Sequence, residues 1–139
     1  MVIDHLGIVV RSLQEGINQW EQVFGYSRSS SIVVNTRQKV KVVFLSKPSS
    51  LTIKLMEPSE PDSPVSQFAR KGGGLHHLCF RCDDLKSGIP LLKEKGARLI
   101  VPPQPGEAFK NNDIAFFLAG NLNVELIDTE EKEGAAPQE

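Results

Sequence analysis

The sequence predicts an α+β domain of two tandem βαβββ modules whose strands form one curved mixed sheet around a central cup. Three observations predict it. The order of strand and helix patterns in the first half returns in the second. The matched positions keep a nearly constant offset, 77 − 5 = 72 from His5 to His77 and 125 − 54 = 71 from Lys54 to Glu125. Finally, 139 residues with 40% hydrophobic and 24% charged side chains can close one core and leave no room for a second domain.

Residues 2–10 are mostly aliphatic and β-branched and read as a strand. Ser12 is placed to cap the next helix, with Glu15 completing a capping box. That helix, 13–24, carries Leu13, Ile17, Trp20 and Phe24 at three- and four-residue spacing and stops at Gly25. Strands are expected at about 26–34, 39–46 and 51–57, with Lys47-Pro48-Ser49-Ser50 as a turn between the last two. In the linker, 58–74, Ser63-Pro64 predicts the start of a short helix that Gly72-Gly73-Gly74 ends. The second module, about 75–128, opens with a strand at 75–82. Asp83-Asp84 leads into a helix over 85–95, and a strand at 97–101 follows. Residues 102–112, rich in Pro and Gly, read as a long loop able to lie over the mouth of the cup. Strands at 113–118 and 122–128 complete the domain, 1–129, and residues 130–139 read as a flexible tail.

Composition excludes several classes. A net charge of −1 offers no footprint for nucleic acid or an anionic membrane. No apolar run approaches the roughly 18 residues of a membrane span. The opening residues lack a basic start and apolar stretch, so a cytoplasmic location is expected. The two cysteines, Cys79 and Cys82, form a C-x-x-C pair inside a predicted strand. Residues three apart on a strand point to opposite faces, so these thiols are expected to stay apart.

The repeat pairs residues of chemical interest. His5 matches His77, one strand into each module, and Lys54 matches Glu125 in the last strands. Ile53, Leu55, Val124 and Leu126 bracket the latter pair, so period-2 alternation sends those aliphatics to one face and the polar residues to the other. Taken singly, each polar residue reads better as an ordinary solvent-facing or satisfied edge residue. Two histidines, a carboxylate and an ammonium at repeat-equivalent positions point instead to one shared inner wall.

The pattern Asp4-His5-Leu6-Gly7-Ile8, Lys54-Leu55-Met56-Glu57-Pro58, Gly74-Leu75-His76-His77-Leu78 and Val124-Glu125-Leu126 resembles the vicinal oxygen chelate superfamily. That superfamily includes glyoxalase I, methylmalonyl-CoA epimerase and the bleomycin-resistance proteins. The resemblance is strongest to the epimerases, which share Asp62-Ser63-Pro64 and the Gly-Leu-His-His strand, and it runs from Val2 to about Thr129. It implies the glyoxalase/bleomycin resistance fold, a homodimer, and a divalent metal ion (zinc, cobalt, nickel or manganese) held by His5, His77 and Glu125. Glu125 and Lys54 are then the candidate catalytic residues, with an enolate formed on a small carbonyl or acyl thioester.

Two positions depart from the pattern. Lys54 stands where a fourth ligand, Glu or Gln, is expected, and Lys41 is the nearest match to a second, proton-transferring glutamate. Three outcomes are open for Lys54: it swings aside while three ligands hold the metal, it replaces the metal by pairing with Glu125, or it acts as the working group itself. A metal-free binding or resistance protein of the same fold, with a small molecule in the cup, is the rival reading. Arg37, Lys39, Lys41 and Lys110 are candidates for coenzyme A phosphates, or simply for a solvated strand face.

Overall fold

The repeat in the sequence is a repeat in space. A computed structural model describes residues 1–135. The first module contains β1 (Val2–Val9), α1 (Leu13–Phe24), β2 (Ser27–Arg28), β3 (Val33–Asn35), β4 (Val40–Ser46) and β5 (Thr52–Pro58). After α2 (Ser66–Arg70) in the linker come β6 (Gly74–Arg81), α3 (Leu85–Glu94), β7 (Arg98–Gly106), a 3₁₀ turn (Glu107–Phe109), β8 (Asn112–Ala119) and β9 (Leu122–Ile127). All the strands join one mixed sheet of order β2-β4-β5-β1-β6-β9-β8-β7, with β3 also on β4.

The register shows how the modules meet. β1 and β6 pair antiparallel at the centre, and Leu6 lies opposite its own repeat-equivalent, Leu78. A pseudo-twofold axis therefore passes through that pair, and places Gly7 opposite His77 and His5 opposite Cys79. Each first strand runs parallel to the last strand of its own module, with Gly7 beside Lys54 and Cys79 beside Glu125. The four matched polar residues thus occupy the four central strands.

Alternation sorts the aliphatics as expected. Beneath α1 lie Leu6, Ile8, Val43, Leu45, Ile53 and Leu55; beneath α3 lie Phe80, Ala115, Phe117, Val124 and Leu126. The opposite face gathers Val9, Val40, Val42, Phe44, Met56, Cys79, Ile114 and Ile127, closed over by Val65 and Phe109. Cys79 belongs to this inner cluster whereas Cys82 packs with the α3 side, so the two free thiols stay on opposite faces.

Both module helices carry two N-terminal partners. Ser12 Oγ accepts from Glu15 N (3.2 Å) and Asp84 Oδ1 from Lys86 N (2.9 Å). In addition, the carboxylates of Glu57 and Asp128, at the ends of the modules' last strands, accept from the N–H groups of Leu13 (2.8 Å) and Leu85 (3.0 Å). A carboxylate there satisfies an orphan donor and opposes the positive end of the helix. Glu57→Ala and Asp128→Ala should each lower unfolding free energy by about 1 kcal/mol in urea titrations. The double variant should lose the sum, because the caps sit in different modules.

Four expectations need correction. The strand expected at 26–34 is two short pieces, interrupted where Ser30 Oγ accepts from Phe44 N (2.9 Å) in place of a ladder bond. Ser63-Pro64 forms a turn ahead of α2, whose first residue is Ser66. The loop expected over 102–112 is mostly strand: β7 reaches Gly106 and pairs with β8, so no lid of that kind covers the cup. Its prolines hid it, and they are tolerated because β7 is an edge strand with two irregularities in register. Finally, the described part of the expected tail is docked: Glu133 N donates to Ala108 O (2.8 Å) and Ser31 N to Gly134 O (2.9 Å). The remainder, 136–139, lies outside the described residues.

Candidate metal centre

The pseudo-twofold brings the predicted residues together. His5, His77 and Glu125 are fully buried, and Lys54 is 4% exposed. His5 Nε2 lies 3.1 Å and His77 Nε2 3.3 Å from the same carboxylate oxygen, Glu125 Oε1. Lys54 Nζ approaches the other oxygen, Oε2, at 3.7 Å, and sits 5.0 Å above the Phe109 ring.

Both imidazoles are anchored through Nδ1. Asp4 Oδ2 accepts from His5 Nδ1 at 2.7 Å, while His77 Nδ1 lies 2.9 Å from His76 Nδ1. Asp4 and His76 are themselves repeat-equivalent (76 − 4 = 72), so the partner behind each histidine is duplicated along with the histidine. The sequence carried that signal as a polar residue immediately before each one. Sequence reasoning also missed Gly7. A Cβ built there would collide with Cε1, Nδ1 and Nε2 of His77, so the ring lies flat over a residue that must have no side chain.

Electrostatics favours a neutral His77 imidazole beside a charged carboxylate. Burial lowers the His77 pKa to about 4, with Lys54 and His5 adding to the effect against Glu125. Burial alone would raise the Glu125 pKa, but the Lys54 ammonium and the two histidines hold it well below the usual range. Asp4 behaves similarly: hydrogen bonds from His5 and Lys132 overcome its burial and lower it to about 2.

The donor set suits a divalent cation. Donors about 2.1 Å from a common ion, at right or tetrahedral angles, stand about 3.0–3.4 Å apart, which matches the two separations on Oε1. All three ligating atoms lie within 4.8 Å of one another. His77 Nε2 and Glu125 Oε2 are buried with no hydrogen-bond partner among the described residues, a costly arrangement that a cation would relieve. The Lys54–Glu125 approach of 3.7 Å is to Oε2, whereas both imidazoles approach Oε1. Cys79 also lies near His5 and Asp4, but burial pushes its thiol far above the usual range, which withholds the thiolate a metal needs.

The centre opens into a cavity of about 220 Å³, walled by apolar residues such as Val40, Met56, Ile114 and Phe116, with Asn35, Gln38 and Asn123 as its neutral polar groups. Lys41 is absent from it. Its side chain is on the far face of β4, half-exposed and 3.6 Å from Glu57, while Val40, Val42 and Phe44 face inward. Lys41, the nearest sequence match to the second glutamate, therefore does not face the cup. Lys39 is also engaged, ion-paired to Asp62 and 3.8 Å from Glu60, which leaves Arg37 and Lys110 as the outward basic groups of the expected set.

The model of the Glyoxalase/Bleomycin resistance protein/Dioxygenase superfamily matches residues 4–116. The uncharacterized protein YqjC of Bacillus subtilis is 33% identical over 95% of this chain and 93% of its own length. The mitochondrial methylmalonyl-CoA epimerase of Dictyostelium discoideum is 29% identical over 94% of this chain and 78% of its own. Among solved structures, the methylmalonyl-CoA epimerase of Mycobacterium tuberculosis superposes with a TM-score of 0.81 at 29% identity, covering 98% of this chain and 89% of that one.

Proposed function

The chain belongs to the glyoxalase/bleomycin resistance/dioxygenase superfamily, close to the methylmalonyl-CoA epimerases, and we propose that it is a metal-dependent isomerase or lyase acting through an enolate. The substrate class is a small carbonyl compound or acyl thioester. One observation carries this reading: His77 Nε2 and Glu125 Oε2 are buried without a hydrogen-bond partner among the described residues, and both residues line the cavity of about 220 Å³.

In this reading His5, His77 and Glu125 hold a divalent ion, which when bound supplies Lewis-acid polarisation of a substrate oxygen. Glu125 Oε2, free of hydrogen bonds, accepts the proton from the carbon acid. Lys54 then stands beside the new negative charge, where its ammonium stabilises an oxyanion or returns a proton. The apolar walls exclude water from the exchange.

A second reading has its own support. The 3.7 Å approach of Lys54 to Glu125 is an ion pair that neutralises the cup without metal, as in a binding or resistance protein. One experiment separates the two. Untagged protein prepared without chelators should contain about one equivalent of divalent metal by elemental mass spectrometry; His77→Ala should contain none. Lys54→Gln, which restores an oxygen, should bind cobalt at least about tenfold more tightly than wild type. Wild type that stays metal-free after incubation with zinc, cobalt, nickel and manganese, while Lys54→Gln takes up metal, would establish the metal-free binding protein.

A further inference from the structure

The C-terminal segment, charged and containing Gly and Ala, reads in the sequence as a flexible tail, yet its described part is docked on the domain. Its backbone is pinned to both modules, to Ala108 through Glu133 N and to Ser31 through Gly134 O. Immediately before those anchors Lys132 points inward. Its Nζ lies 3.2 Å and 3.0 Å from the two oxygens of Asp4, and 5.5 Å and 5.7 Å from the ring centres of Phe44 and Phe109. Those same two rings pack on His5, at 5.5 Å edge-on and 5.9 Å stacked. The ammonium thus lies against the carboxylate bonded to His5 and against two of the rings packed on it.

We infer that Lys132 is a positioning residue: it fixes the Asp4 carboxylate, which keeps the His5 proton on Nδ1 and leaves the Nε2 lone pair facing Glu125. A carboxylate behind an imidazole selects the tautomer and the ring orientation, and weakening such a partner lowers metal affinity by roughly 10–100-fold. Arg81 also holds Asp4, at 2.8 Å, but reaches Oδ1 only. Lys132 donates to that same Oδ1 and its Nζ also lies 3.0 Å from Oδ2, the oxygen bonded to His5. The segment needs its glycine as well. Gly134 has φ 72°, and a Cβ there would run into Ser31 Oγ, so Gly134→Ala should release the segment without altering Lys132.

The metal arm of the test rests on the proposed function, whereas the tautomer arm does not. The ¹⁵N shifts of the His5 ring should report one Nδ1–H tautomer in wild-type protein and in Lys132→Arg. Lys132→Met and Gly134→Ala should each give a mixture, and should weaken cobalt binding, measured by chelator competition, on the order of tenfold. Unchanged His5 shifts in both variants, with only a lower thermal midpoint, would overturn the inference and leave Lys132 a structural contact. If wild type binds no cobalt, the metal-dependent reading fails and the nitrogen shifts alone decide the role of Lys132.

Discussion

Glu125→Gln is expected to cut proton exchange at a substrate α-carbon by about 10³-fold, within the range typical of losing a general base. The change keeps the volume of the side chain and removes its charge, so three effects coincide. The oxygen that both imidazoles face becomes part of a neutral amide. The proton acceptor is lost from the cup. Lys54, 4% exposed, loses the counter-ion 3.7 Å away. Breaking a buried pair by removing one partner typically costs about 3–5 kcal/mol, so urea unfolding of the metal-free variant should show a clear loss. Its pH dependence follows from the direction of the Glu125 shift. A carboxylate held below its ordinary range stabilises the fold above that range, and this stabilisation disappears as pH falls through the folded value. The gap between wild type and variant should therefore be full at neutral pH and close in acid. Deuterium incorporation at the α-carbon of a small acyl thioester, followed by NMR, is the kinetic readout; full exchange in the variant would remove Glu125 from the chemistry.

Gly7→Ala is the second large effect, and it comes from a residue with no side chain. The His77 ring occupies the space a methyl group would need, and the β1–β6 pairing that holds Gly7 opposite His77 allows neither strand to withdraw. Overpacking of this kind costs about 1–3 kcal/mol. Function should suffer more than stability, because the ring must turn its Nε2 away from Glu125. Metal content of the purified variant should fall to the level of His77→Ala while its far-ultraviolet circular dichroism stays that of the wild type. Cys79, the repeat-equivalent of Gly7, already carries a side chain opposite His5, so Cys79→Ala is the matched control and should keep its metal. Equal metal content in Gly7→Ala and wild type would show that His77 is free to move.

The sequence made the site legible because duplication did. His5 and Lys54 alone are unremarkable strand residues; their counterparts His77 and Glu125 turn them into a set, and alternation then gives the face. What stayed hidden depends on register or distance along the chain. Gly7 matters only because Leu6 pairs with Leu78, which no local pattern encodes. That Lys41 faces away from the cup was not legible, because a strand read without its exact pairing does not fix which face a residue takes. β7 was lost behind Pro102, Pro103 and Pro105, residues that forbid a central strand but not an edge. Lys132 sits in a stretch whose composition resembles disorder, and its partner Asp4 is 128 residues away. Long-range ion pairs leave no trace in local periodicity.

The placement of the site on β5, β1, β6 and β9 bears on how the protein breathes. These strands have neighbours on both sides, while the sheet's free borders are β2 and β3 beyond β4 and β7 at the other end. Fraying begins at borders and ends, and the innermost ladder opens only in the global transition. The amides around His5 and His77 should accordingly be among the slowest to exchange. Whatever occupies the cup has no back door through local opening, so its residence time is governed by the cup's own mouth and by the unfolding rate of the whole chain.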